Sequence, residues 1–165
     1  MSPVNLVKNY ITNADEIVRL AEQELDKFSI RAPGHKFNFI TQYGDSNMKS
    51  LFHFNMSKGL LNTILNALPK EDRYPEPDSI VINRYDPGNF LLRHRDSIGG
   101  YWKFKLIFLR SDKPHFKWFD ENDQGHLVEE EPGALLQMPI NLEHEVTLID
   151  NDEKPKYSLV LAWGV

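Results

Sequence analysis

From Ser79 onward the chain breaks into short runs of alternating apolar and polar residues, each closed by turn-forming residues. That texture restricts the region to an all-β sandwich or barrel. The predicted strands are Ile80 to Tyr85, Phe90 to Arg95, Trp102 to Leu109, His115 to Phe119, Gly125 to Glu129, Ala134 to Met138, His144 to Ile149 and Lys156 to Trp163. Turns such as Asp86-Pro87-Gly88-Asn89 and Glu131-Pro132-Gly133 separate them, and short strands so spaced suit a double-sheet jelly roll. Two amphipathic helices are predicted ahead of this region. Ile17, Leu20, Ala21, Leu25 and Phe28 recur at helical spacing behind Asn13-Ala14-Asp15-Glu16, which has the form of a capping box. Leu60, Leu61, Ile64, Leu65 and Leu68 follow Ser57 and are stopped by Pro69. Both helices are expected to pack on a sheet, giving a mainly β chain with flanking N-terminal helices. Ser29 to Phe54 reads as loop with one or two short strands, a natural place for a lid.

A length of 165 residues predicts one domain over 1–165, with helical and lid elements in 1–78 and a jelly-roll core in 79–165. The chain has no cysteine, which excludes disulfides, Fe–S clusters, thiolate zinc and cysteine nucleophiles, so any metal must bind through N and O. The start has neither the basic residues nor the apolar core of a signal peptide, and no apolar run is long enough to span a bilayer. A soluble cytoplasmic protein without a membrane partner is therefore expected. The formal net charge of −5 argues against an extended polyanion groove. Arg84, Arg93, Arg95, Lys103 and Lys105 nevertheless cluster in sequence.

His94-Arg95-Asp96 sits at the end of a predicted strand. Alternate residues of a strand share a face, so Leu92, His94 and Asp96 are expected on one side, Arg93 and Arg95 on the other, and the His/Asp pair can grip one ion. His144, on another predicted strand, is the leading third ligand. Two histidines and one carboxylate with open positions are the site of non-haem Fe(II) oxygenases. A zincin is excluded at His144-Glu145, because Leu148 stands where the second histidine belongs. His35, His53, His115 and His126 have no comparable partners and read as structural or surface residues. The same parity puts Asn83 with Tyr85, and Lys156 with Ser158, a cation and a hydroxyl suited to a carboxylate.

The run Asn83-Arg84-Tyr85, Pro87-Gly88, His94-x-Asp96 resembles the AlkB-like branch of the 2-oxoglutarate/Fe(II)-dependent oxygenases. The resemblance extends through Pro132-Gly133, His144-Glu145-Val146 and Lys156-Tyr157-Ser158-Leu159, about the C-terminal half of the chain. It implies a double-stranded β-helix in which His94, Asp96 and His144 bind Fe(II) and Asn83 and Tyr85 contact 2-oxoglutarate. It further implies a dioxygenase that uses O2 to hydroxylate a C–H bond and releases succinate and CO2. Where that branch carries two arginines on one strand face, this chain has Lys156 and Ala162. A lysine there is more like the prolyl hydroxylases, and implies that Lys156, with Ser158, holds the far carboxylate of 2-oxoglutarate as a point charge. Ser97-Ile98-Gly99-Gly100 also lacks the acidic group of the AlkB base pocket.

Three functions compete. The motif favours oxidative demethylation of an alkylated nucleobase, for which Tyr43, Tyr101 and Trp102 are available aromatics. The acidity favours hydroxylation of a peptide or small molecule. A non-catalytic jelly-roll binding module is the third, and it needs no cosubstrate set.

Overall fold

The computed structural model describes residues 2–30, 48–96 and 101–164. In chain order the elements are β1 (Asn5–Val7), α1 (Ala14–Glu22), β2 (Ser29–Ile30), β3 (Lys49–Phe52), α2 (Lys58–Ala67), α3 (Lys70–Arg73), β4 (Ser79–Tyr85), β5 (Leu91–His94), β6 (Tyr101–Arg110), β7 (Phe116–Phe119), β8 (Gly125–Leu127), β9 (Leu135–Gln137), β10 (His144–Val146) and β11 (Lys156–Gly164). They form two antiparallel sheets, a large one in the order β1-β9-β6-β11-β4-β3-β2 and a small one in the order β5-β10-β7-β8. This is the expected jelly roll. The large sheet also draws β1, β2 and β3 from the region ahead of Ser79, so its edges come from the half read as helix and lid. The expected lid lies mostly in 31–47, outside the described residues.

The two faces of the large sheet are both covered, and strand alternation decides which side chain goes where. On β11, Tyr157, Leu159, Leu161 and Trp163 join Ile80 and Ile82 of β4 and Ile107 of β6 in a core shared with Ile17, Val18, Ala21, Leu60 and Ile64 of the helices. Lys156 and Ser158 face the other way, beside Tyr85 and Asn83 across the β11/β4 ladder. There Phe108, Leu136, Phe116 and Val146 build a second core between the sheets.

The local devices match the sequence in part. Ser57 caps α2 by accepting from the Leu60 N–H at 3.2 Å, as Ser at an N-cap should. At α1 the expected capping box does not form: Asn13, at φ −122° and ψ 35°, makes no side-chain cap bond, and Glu16, which would have to reach back, is held by Arg19 at 2.6 Å. The helix also stops at Glu22, and Leu25 falls in a separate 3-10 turn with its side chain exposed. Pro87-Gly88 makes its turn as expected, with Gly88 at φ +89° and the Asn89 N–H donating to the Asp86 carbonyl at 2.8 Å. Gly133, at φ +85°, lies so close to Ile11 that a Cβ would sit 2.3 Å from the Ile11 carbonyl oxygen. That close approach ties the β1-α1 connection to the large sheet.

Behind the sheet, Asp72 is 1% exposed and takes Lys103 at 2.5 Å, Lys105 at 2.6 Å and the Tyr10 hydroxyl. Burial alone would raise its pKa, yet these donors hold the carboxyl below its ordinary value of 3.8. A buried anion with three donors is expensive to break. Asp72→Asn is expected to cost about 3 kcal/mol in urea unfolding at pH 7. Because the folded-state pKa is lowered, the wild-type advantage is full above 3.8 and disappears as pH falls through the folded value. A gap that widens on acidification is the contrary result.

Candidate metal centre and cavity

His94 and His144 face each other as register partners on β5 and β10. The expected strand alternation is not what aims His94, however. Between the His144–His94 and Val146–Leu91 pairs the register shifts, so three steps on β5 oppose two on β10. A bulge of this kind re-aims side chains. Leu91 and His94 both turn inward, while Leu92, expected on the ligand face, is 41% exposed. The strand ends at His94, and Asp96 reaches the site from the segment just beyond.

Each imidazole is oriented by the backbone two residues earlier. His94 Nδ1 lies 2.6 Å from the Leu92 carbonyl and His144 Nδ1 lies 2.8 Å from that of Leu142. A carbonyl only accepts, so both Nδ1 atoms carry the proton and both Nε2 atoms present lone pairs. These lone pairs converge on Asp96, Nε2 of His94 at 3.1 Å from Oδ1 and Nε2 of His144 at 3.4 Å from Oδ2. Asp96 Oδ1 is buried and has no hydrogen-bond donor. Lone pairs facing lone pairs repel unless a cation lies among them. The three ligand atoms lie within 4.8 Å of one another, which fits one metal ion held on one side. Burial pushes the His144 imidazole below its ordinary value, with Asp96 opposing and His94 reinforcing the shift, so the ring is kept in its neutral, metal-binding form. Phe116 stacks on His144 at 5.1 Å between ring centres and fixes its plane.

The centre opens into a cavity of about 120 Å³ between the sheets. Asn83, Tyr85, Lys156 and Ser158 line it together with His94, Asp96 and His144, so all seven residues singled out in the sequence border one space. Asn83 is fixed by the Ser50 hydroxyl, which donates to its Oδ1 at 2.7 Å. Lys156 is 2% exposed and its ammonium is bound to Glu130; burial pushes its pKa down while Glu130 opposes. Lys105 also borders the cavity, but its ammonium is turned to Asp72 at 2.6 Å, and Lys154 is exposed.

Three groups escaped the sequence reading. Glu130 falls between the predicted strand that ends at Glu129 and the turn that opens at Glu131, and its side chain is 2% exposed. Trp118 pairs with His144 on one side and with His126 on the other, so it sits beside the candidate ligand, and His126 packs behind it as a structural residue. It stacks on Trp118 at 4.3 Å and binds Asp120 at 2.7 Å. The basic cluster is matched by acids: Arg84 pairs with Asp86, and Arg93 and Arg95 with Glu143 next to His144. Of the aromatics considered for stacking, Trp102 is exposed, and Tyr43 lies outside the described residues.

No protein-family model matches this sequence, and no curated protein matches it. Solved structures do. The chain superposes on a Pseudomonas putida prolyl-4-hydroxylase with a TM-score of 0.65 at 15% identity, covering 99% of this chain and 93% of that one. It matches an oxidoreductase of the 2OG-Fe(II) oxygenase family from Burkholderia pseudomallei at 0.62 and 17% identity, covering 98% and 84%. It matches OsALKBH1 at 0.58 and 15% identity, covering 98% of each chain. The fold is that of the 2-oxoglutarate/Fe(II) oxygenases. Both prolyl hydroxylase and ALKBH structures share it, and among the described residues no helix is long and apolar enough to cross a membrane.

Loss of supporting groups around a metal ligand already weakens binding 10–100-fold. Asp96→Ala is therefore expected to weaken Mn(II) or Zn(II) binding by more than about 100-fold. The rise in Tm on adding metal should vanish with it, while the far-UV spectrum of the metal-free protein stays unchanged. Retention of the metal-induced shift would remove Asp96 from the site.

Proposed function

We propose that the protein is an Fe(II)- and 2-oxoglutarate-dependent dioxygenase that hydroxylates a C–H bond. The observation that carries this reading is the convergence of two Nε2 lone pairs and a carboxylate at the mouth of a cavity with a buried lysine at its inner wall. His94, Asp96 and His144 would hold Fe(II) on one side, leaving positions open toward the cavity. Fe(II) with 2-oxoglutarate and O2 supplies the oxidant that replaces hydrogen by hydroxyl, with succinate and CO2 released. The chain's own part is to bind and orient. Asn83 and Tyr85 flank the cosubstrate on β4, and Lys156 with Ser158 meets its far carboxylate on β11. Phe108, Phe116 and Val146 line the space with apolar side chains, which lowers the local dielectric and strengthens each of these polar contacts.

On substrate, peptide or small-molecule hydroxylation is favoured over demethylation of a nucleobase. The cationic groups that would meet a phosphate backbone near the centre, Arg93 and Arg95, are engaged by Glu143, and Arg93 also by Asp123. The AlkB-like spacing of Asn83, Tyr85, His94 and Asp96 supports the nucleobase reading as the alternative. Succinate release, screened over peptides, metabolites and alkylated oligonucleotides with anaerobically loaded Fe(II), decides between them. Lys156→Met is expected to raise the 2-oxoglutarate KM more than tenfold, since removing one partner of a desolvated charge pair costs about 2–5 kcal/mol. Metal affinity should be unchanged. A normal KM in that variant would place the carboxylate anchor on another residue.

A further inference from the structure

We propose that Glu130 sets which 2-oxo acid the cavity prefers, by competing with the cosubstrate's far carboxylate for the Lys156 ammonium. This rests on the oxygenase reading above. Lys156 is the cation on the cavity face of β11, and Glu130 already occupies it from behind, both side chains being 2% exposed. Glu130 is not free to retreat. Its second oxygen accepts the backbone N–H groups of His115 at 2.5 Å and Phe116 at 2.9 Å, which anchor it at the head of β7. Glu153 adds a further negative field at Lys156 and is itself held by His115 at 2.7 Å. An entering dicarboxylate would therefore have to share the ammonium with a fixed anion a few ångströms away.

The consequence is a specificity. In a dry cavity like charges repel strongly, so the second carboxylate gains less from Lys156 than it would from an unmatched cation. A 2-oxo acid with an apolar tail neither gains from Lys156 nor suffers from Glu130. The protein should thus discriminate less between 2-oxoglutarate and an apolar-tailed analogue such as 2-oxopentanoate than it would without the Glu130 charge. Glu130→Gln keeps an oxygen to accept the two N–H groups and removes the charge.

The test is calorimetric binding of 2-oxoglutarate and 2-oxopentanoate to the Zn(II)-loaded protein, in which no turnover occurs. Glu130→Gln is expected to tighten 2-oxoglutarate more than tenfold and to leave 2-oxopentanoate within about twofold, a change of ratio that general loosening of β7 would not produce. In the double variant Glu130→Gln/Lys156→Met that gain should disappear. If Glu130→Gln does not fold, Glu130→Asp, which draws the carboxylate back by one methylene, should move the ratio in the same direction. An unchanged ratio, or a gain that survives loss of Lys156, overturns the role of Glu130 while leaving the cosubstrate reading in place. If neither acid binds any form although Zn(II) does, the oxygenase reading falls, and the proposal with it.

Discussion

Desolvation governs this molecule. The large sheet is covered by helices on one face and by the small sheet on the other, so its central strands have no wet side on which to leave a charge. Every charged group that alternation carries inward must find a partner there. Asp72 meets two lysines, His115 meets Glu153, and Lys156 meets Glu130. At the metal centre the same demand takes another form. The buried histidines give their protons to backbone carbonyls, and what remains on the inside is acceptor facing acceptor. A site short of positive charge in a dry environment is a site for a cation.

That reasoning also orders the roles of the two sheets. The large sheet supplies stability and the far wall of the cavity, with β4 and β11 presenting their polar residues at paired positions, Asn83 opposite Ser158 and Tyr85 opposite Lys156. The small sheet supplies the candidate ligands His94 and His144, and its geometry is adjusted by a bulge and by braces at its rim. Arg93 and Arg95 reach from β5 to Glu143 beside His144, so the two ligand strands are cross-linked outside the site and the histidines inside keep their spacing. The arginines that looked like a surface patch are part of the scaffold.

Much of this was legible. Period-2 alternation on β4 and β11 placed Asn83, Tyr85, Lys156 and Ser158 on one side and Tyr157, Leu159, Leu161 and Trp163 on the other, as found. Those strands are long and pair with each other without a break from Lys156–Tyr85 to Ala162–Ser79, so the shift between Tyr157 and Ser158 on the β6 side leaves their phase over the cavity intact. On β5 the same rule failed for Leu92, because a single extra residue reverses the phase of the residues before it. The capping box at Asn13 also failed, with Asn13 at a ψ of 35° and Glu16 paired to Arg19 instead. Glu130 and Trp118 were missed because each acquires its meaning from a neighbour remote in the chain, Lys156 and His144 respectively.

Sequence by itself determined the strand-rich architecture, the alternation of β4 and β11 and the residue types able to bind a metal through nitrogen and oxygen. These are properties of consecutive residues, set by backbone geometry and turn chemistry. Tertiary structure alone decided the direction of His94, the arrival of Asp96 from beyond the strand and the burial of Glu130 against Lys156. Each depends on register between strands far apart in the chain, and register is a property of the pair, written in neither strand separately.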